Sequence, residues 1–327
     1  MKFIELFAGV GAFRLGLERT GHECVWANEW LEKPRSIYAR NFGEQPDGRD
    51  IRTISVGDIP NADLLVGGFP CATFSIAGKR TGFSLEDTRG TLAFEMFRLA
   101  RDKGIPYLLF ENVKGLLNHD GGRTFGIILE VLDGMGYDCQ WELLDSQNFG
   151  VPQHRERIFL IGHLRGKPRP KVFPIGITGE ENDEPYQGKR GRRQGLFSNI
   201  SPTLDAHYYK GGASRPYVIE EECELEVAQW RRGYFRDYKS EGVPTLTANM
   251  GTGGHNVPFV KAVDENTVSI RKLTPLECER LQGLPDGWTE FYQDGRRVSD
   301  SERYERCGRT ITIPVVEAIG RRLHEFY

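Results

Sequence analysis

The chain has 327 residues, 39% of them hydrophobic and 27% charged, which gives length for a sizeable core and an expectation of two domains, one large and one small. No run of about 18 apolar residues is present to span a bilayer, and a formal net charge of −3 speaks against a histone-like nucleic-acid binder. The six cysteines (Cys24, Cys71, Cys139, Cys223, Cys278, Cys307) stand far apart with no C-x-x-C pair, which excludes the usual zinc spacings and a disulfide framework and points to a cytosolic setting with reduced thiols.

The first residues, MKFIELFAGVGAFRLG, hold one Lys and then glycines where a signal peptide needs a longer apolar stretch. Residues 2–7 read as a buried strand that ends in a glycine turn and opens into a helical stretch, AFRLGLERTG. A second strand over 22–27 ends at Asn28-Glu29-Trp30 and leads into a helix over 32–41. Apolar runs at 63–66 and 107–110 predict two more strands, the latter ending at Glu111-Asn112. Helices at 91–103 and 123–135 flank it, and strands at 137–144 and 157–163 close the region. Strands alternating with helices predict an α/β fold: a doubly wound, Rossmann-like, parallel-rich sheet whose chemistry gathers at the carboxyl ends of its strands. From about 164 to 269 the chain is rich in Gly, Pro and charge, which predicts a second, smaller domain of irregular or β structure. Thr274, Pro275 and Glu277 then form a capping-box start for a helix in LTPLECERLQG, and IPVVEAIGRRLHEF predicts a closing amphipathic helix that packs back on the sheet. The expected division is 1–163 with 270–327 as one domain and 164–269 as the other.

The residues at the strand ends are the chemically interesting ones. Phe7-Ala8-Gly9-Val10-Gly11 follows a strand and opens a helix, as a nucleotide-type cofactor requires, because glycine lets a ligand approach the backbone. Glu29, twenty residues after Gly9, stands where an acid grips ribose hydroxyls. Arg14 occupies the place of a dinucleotide fingerprint's third glycine, and a tight turn without a ligand is the plainer alternative. Gly67-Gly68-Phe69-Pro70-Cys71 puts a cysteine just past a strand end without apolar cover. An inert buried thiol is the usual case, and a nucleophile needs a partly open, electropositive setting. Glu111 offers an acid on the next strand, and Arg155 and Arg157 in Gln153-His154-Arg155-Glu156-Arg157 offer positive charge. The basic residues 188–193 (GKRGRR) and the basic, aromatic 229–239 (QWRRGYFRDYK) suit a nucleic acid and equally a solvated face.

In order along the chain stand FAGVG, NEW, GGFPCATFS, DTRGTL, FENV, QHRER and RKLTPLECERLQGLP. This series resembles the ordered motifs of the DNA (cytosine-5)-methyltransferase family over residues 1–163 and 270–327. The variable stretch between lies where that family carries its target-recognition domain, and Thr245-Leu246 resembles its Thr-Leu pair. The resemblance implies that Cys71 is a thiolate adding to carbon 6 of a cytosine, which makes carbon 5 a nucleophile toward the methyl of S-adenosyl-L-methionine. The base must leave the stack to react, at a cost of about a few kcal/mol. Glu111 would hold ring nitrogen N3 and the exocyclic amine, and Arg157 with Arg155 would steady the ring carbonyl and the nucleophile region. By the same resemblance the donor lies against Phe7 (adenine), Ala8, Gly9, Gly11, Glu29 (ribose), Trp30 (stacking), Asp50 (adenine amine), Ile51, Pro70, Leu92, Arg309, Thr310 and Ile311. DNA would touch Ser75, Gln153, Thr245 and Leu246. The expected partner is double-stranded DNA, bound by a monomer without metal or membrane, in the cytoplasm of a bacterium or a phage-infected one.

Two residues depart from the family's pattern. Ala72 follows Pro-Cys where Gln is usual, which touches the base-flipping apparatus. Arg309, in Gly308-Arg309-Thr310-Ile311, stands where the closing motif has Asn, beside the donor's transferable group. Like charges about 4 Å apart repel by about 4 kcal/mol at a surface-like dielectric, so an Arg near a sulfonium needs an anion. That anion is a DNA phosphate, a local acid such as Glu5 or Glu29, or a carboxylate carried on the transferred carbon. The last alternative makes carboxy-S-adenosyl-L-methionine the donor, Arg309 its reader and 5-carboxymethylcytosine the product. The remaining alternatives are a catalytically silent DNA binder, a transfer-RNA cytosine methyltransferase of the same fold and an NAD(P)-dependent oxidoreductase. The oxidoreductase leaves Pro-Cys, Glu-Asn-Val and Gln-x-Arg-x-Arg without a purpose.

Overall fold

The computed structural model describes residues 1–69, 92–175 and 273–325, and between them the backbone of short strands at 201–202, 226–231, 234–237, 257–264 and 267–269. The chain divides into two compact units, residues 1–144, 156–186 and 315–327 in one and residues 145–155 with 187–314 in the other.

The first unit is built on β1 (Lys2–Leu6), β2 (Glu23–Asn28), β3 (Leu64–Gly68), β4 (Tyr107–Val113), β5 (Tyr137–Asp145) and β7 (Glu156–Leu164), with the two-residue β6 (Gln153–His154) falling in the other unit. The sheet order is β2-β1-β3-β4-β7-β5. The first four strands pair in parallel, and β7 returns antiparallel to β4. Helices α1 (Ala12–Glu18), α2 (Glu32–Phe42), α3 (Leu92–Lys103) and α4 (Arg123–Gly134) stand between them, as the alternating pattern predicts. Continuous apolar runs such as Leu64-Leu65-Val66 and Tyr107-Leu108-Leu109-Phe110 are buried, as strands covered on both faces require. The antiparallel return matters for the site. Arg157, near the start of β7, lies opposite Val113 at the end of β4, so it reaches the same sheet edge as the carboxyl ends of the parallel strands.

Close approach of the layers is set by small residues. A Cβ on Gly67 would fall 2.7 Å from Met96 Cε and 2.8 Å from the Leu6 carbonyl oxygen, so β3 seats against β1 and α3 only with glycine there. The closing helix α7 (Ile313–His324) ends in the first unit. A methyl on its Gly320 would meet Thr20 Oγ1 at 2.3 Å, and His22 Nε2 bonds the Gly320 carbonyl at 2.9 Å.

In the second unit β6 pairs in parallel with β8 (Ser201–Pro202), and β10 (Tyr234–Asp237), β9 (Glu226–Arg231), β11 (Val257–Asp264) and β12 (Thr267–Ser269) form an antiparallel sheet in that order. Two helices follow, α5 (Pro275–Leu281) and α6 (Asp300–Arg309). At the start of α5, Thr274 N donates to Glu277 Oε2 at 2.7 Å and Glu277 N to Thr274 Oγ1 at 3.3 Å, the capping box the sequence predicts. The boundary differs from the expected one, since 145–155 and 270–314 group with the inserted stretch. Bonds between those two segments join residues far apart in the sequence. Gln153 Nε2 donates to the Leu281 carbonyl at 2.9 Å, and Ser146 Oγ to Thr312 Oγ1 at 2.8 Å. No helix among the described residues is long and apolar enough to cross a membrane.

Candidate active site

After β1 the chain turns sharply, with Phe7 at φ +54°, Gly9 at +57° and Gly11 at +86°. For Phe7 that backbone is strained by about 1–3 kcal/mol and persists because its surroundings fix it. Ala8 N donates to the Asn28 carbonyl at 3.0 Å, Gly11 N to the Ala8 carbonyl at 2.8 Å and Gly9 N to Glu29 Oε2 at 2.9 Å. Gly11 has no room for a side chain, because a Cβ would lie 2.2 Å from Phe42 Cε2. Gly9 is the reverse case. Among the described residues the nearest atom to a Cβ built there is 4.0 Å away, so none of them crowds its backbone.

Glu29 is buried at the end of β2 and joins two segments, accepting from Gly9 N through one oxygen and from Leu31 N through the other, each at 2.9 Å. Trp30 beside it is 59% exposed, high for a ring of that size. Asp50 caps a short turn, accepts from Arg52 N at 3.0 Å and pairs with the Arg52 guanidinium, which holds its carboxyl below the usual range. Ile51 is buried in the core, Ala8 packs with Ala27 and Tyr38, and Leu92 packs half-buried at the start of α3. Beneath the turn, burial pushes the pKa of Glu5 up to about 8, and its Oε1 accepts from Arg14 N at 3.4 Å.

At the end of β4, Arg157 Nε stands 3.2 Å from Glu111 Oε1. Gly68 leaves space for this carboxylate, since a Cβ on it would fall 2.9 Å from Glu111 Oε2. The neighbouring Asn112 is buried and donates through Nδ2 to the Phe69 carbonyl at 2.9 Å, fixing the backbone just before Pro70-Cys71. Pro70, Cys71 and Ser75 lie outside the described residues, as do Thr245 and Leu246. Burial pushes the Cys24 and Cys139 thiols up to about 12 and Cys307 well above its ordinary value, which makes them poor nucleophiles.

The closing motif ends α6. Arg155 is buried, and its Nη2 donates to the carbonyls of Gly308 at 3.2 Å and Thr310 at 3.0 Å, the geometry of a brace for that motif. Thr310 Oγ1 donates to the Arg306 carbonyl at 2.7 Å, and Ile311 is buried. Arg309 pairs with Glu305, one helical turn earlier, at 2.9 Å, with half of its side chain exposed. A local acid, one of the three anions weighed for it, is therefore present on its own helix. Gln153, in β6, is fully buried and bonded to the Leu281 carbonyl and Gln282 Oε1.

The sequence pattern of C-5 cytosine-specific DNA methylases matches residues 1–325. The chain belongs to this family. Similar over its whole length are two type II methyltransferases. M.Bsp6I of Bacillus sp. (strain RFL6) is 37% identical with 99% of each chain covered, and M.HhaI of Haemophilus parahaemolyticus is 32% identical with 98% of this chain and 93% of that one covered. Among solved structures, the S. pombe Dnmt2 methyltransferase shares the fold, with a TM-score of 0.61 at 18% identity and 99% of each chain covered.

Some residues of this methylase carry more than its motif letters announce. Asn112 of FENV fixes Phe69, and Asp145 accepts from Arg155 N at 3.0 Å and binds His154 Nδ1 while capping the turn at Ser146. A lone Asp nine residues before its partner gives no periodic signal in the sequence.

Proposed function

We propose that this DNA cytosine-5 methyltransferase flips a cytosine out of duplex DNA and alkylates carbon 5 through a covalent adduct on Cys71, with S-adenosyl-L-methionine as donor. The observation that carries the reading is the Glu111–Arg157 pair at 3.2 Å beside the end of β3, where Asn112 holds the residue before Pro70-Cys71. A carboxylate and a guanidinium at that edge suit the N3 and exocyclic-amine face and the carbonyl of one pyrimidine. The Cys71 thiolate bonds to carbon 6 with its own electron pair while the carbon 5–carbon 6 π pair shifts to carbon 5, and carbon 5 takes the methyl as the methyl–sulfur bond breaks and S-adenosylhomocysteine leaves. Loss of the carbon 5 proton and departure of the thiolate then restore the ring. The donor supplies an electrophilic methyl on a sulfonium. The residues present fit it: the Gly9 backbone, which no described residue crowds, the exposed Trp30 ring, the strained Phe7 and the buried Glu29 carboxylate share one corner of the sheet.

A duplex carrying 5-fluorocytosine tests the adduct, because fluorine cannot leave as a cation and the enzyme stays bound. Wild type with donor should give a denaturant-resistant enzyme–DNA species that Cys71→Ser abolishes. An adduct that survives Cys71→Ser would remove the proposed role of Cys71.

The donor has a second reading. Arg309 stands at the Asn position of the closing motif, its guanidinium half exposed and paired to Glu305 through one amino group, which leaves a planar fork for a further anion. A carboxylate on the transferred carbon, as in carboxy-S-adenosyl-L-methionine, suits that fork. Under this reading Arg309→Asn loses carboxymethyl transfer and keeps methyl transfer; equal use of the carboxylated donor by both proteins would end it.

A further inference from the structure

The corner that carries Glu29 and Trp30 is held from behind by a residue with no part in the motifs above. Arg35, one turn into α2 and half-buried, donates through Nη1 to the carbonyl of Glu29 and to the carbonyl of Trp30, each at 3.1 Å. Those two carbonyls lie in the turn between β2 and α2. The guanidinium also fills a notch in the segment leading to Asp50. A Cβ on Gly48 would lie 2.3 Å from Arg35 Nη1 and 2.6 Å from its Cζ. That segment is tied to the same corner, with Glu29 N donating to the Asp47 carbonyl at 3.0 Å and Asn28 Nδ2 donating to the carbonyls of Asp47 and Arg49, each at 2.9 Å. One guanidinium thus fixes the backbone of Glu29 and Trp30 and packs against the chain that presents Asp50.

We infer that Arg35 is a positioning residue for the adenosine end of the donor site: it sets the Glu29–Trp30 corner before the donor arrives. This rests on the donor reading given above. Bonds from a charged donor to backbone carbonyls are strong, and a preset corner saves the ordering a ligand otherwise has to impose. Arg35 acts on donor affinity and leaves the chemistry at Cys71 and Glu111 alone.

Two substitutions displace the guanidinium by independent routes. Arg35→Gln removes it. Gly48→Ala keeps the charge and adds a methyl where the guanidinium now sits, and the atoms it meets are the far end of a flexible side chain, so the fold tolerates the change. Calorimetric titration of S-adenosylhomocysteine into the full-length protein, with steady-state kinetics on duplex DNA, reads the effect. Each variant should weaken S-adenosylhomocysteine binding and raise the donor KM about tenfold, as loss of a charged hydrogen bond does, with kcat at saturating donor within about twofold of wild type. DNA affinity should be unchanged, and the double variant should be no weaker than Arg35→Gln alone. If wild type binds S-adenosylhomocysteine and both variants bind it equally well, Arg35 has no positioning role. A fully additive double variant, or equal losses in donor and DNA affinity, overturns it too. If wild type itself binds no S-adenosylhomocysteine, the donor reading falls and takes this inference with it.

Discussion

Glu5 is a fully buried carboxyl in β1, and desolvation raises its pKa from the ordinary 4.5 to about 8. The folded chain keeps that proton between the two values while the unfolded chain releases it, so stability falls as pH rises through this window. The contribution of the neutral acid is complete below about pH 4.5 and lost above about pH 8. Glu5→Gln is neutral at every pH. Its melting temperature relative to wild type should therefore rise from pH 5 to pH 9, and a constant difference would show that Glu5 is already ionised in the fold. Glu111 faces Arg157, 3.2 Å away, at a sheet edge. Glu111→Gln keeps the shape and removes the charge. It should lower the single-turnover rate by about 10² or more while duplex binding stays within error, measured by rapid quench and by fluorescence anisotropy.

Among the elements, α5 and α6 are joined by a buried ion pair. Glu279 is fully buried, pairs with Arg303 at 3.0 Å, and accepts from Gly287 N at 2.8 Å and Thr289 N at 2.9 Å. Removing one partner strands the other, so Glu279→Ala should lower urea-unfolding stability by about 3–5 kcal/mol; a loss below about 1 kcal/mol would mean that the loop relaxes and hydrates Arg303. The periodic elements were legible in the sequence. The strands at 2–7 and 107–110, the helices at 32–41 and 91–103, and the capping box at Thr274 appear within a residue or a few of their expected bounds. Helix α6 was not legible, since Arg303 and Arg306 are buried charges on its inner face and hide the apolar period. The candidate site was legible where a residue is itself a motif letter, as Glu111 and Arg157 are. It was not where one residue acts through another's backbone, as Asn112 and Arg35 do, because a bond to a carbonyl requires no particular spacing.

For the whole molecule, the sequence pattern located the sheet and its carboxyl edge, and the two compact units divide the chain differently from the expected domains, with 145–155 and 270–314 grouped with the inserted stretch. Gln153 is buried against α5, and its partner there lies more than a hundred residues away, a distance no local pattern conveys. The overall charge of −3 conceals basic clusters, among them Lys189, Arg190, Arg192 and Arg193. These four lie outside the described residues. If they meet phosphates, replacing all four with Ala should flatten the salt dependence of duplex binding by about 0.9 in log–log slope for each phosphate that is no longer neutralised, measured by anisotropy across a salt series. An unchanged slope would leave them as a solvated face.

The central claim, alkyl transfer to carbon 5 of cytosine in DNA, is tested most directly by nucleoside mass spectrometry of cytosine-rich duplex DNA. Parallel reactions would contain S-adenosyl-L-methionine or carboxy-S-adenosyl-L-methionine, each with wild type and with Cys71→Ser. Wild type should convert deoxycytidine to 5-methyldeoxycytidine with the plain donor, and Cys71→Ser should make none; a carboxymethyl product lost in Arg309→Asn would assign the donor to the second reading. Unmodified deoxycytidine with both donors, across duplexes that sample all short target sequences, would contradict the claim.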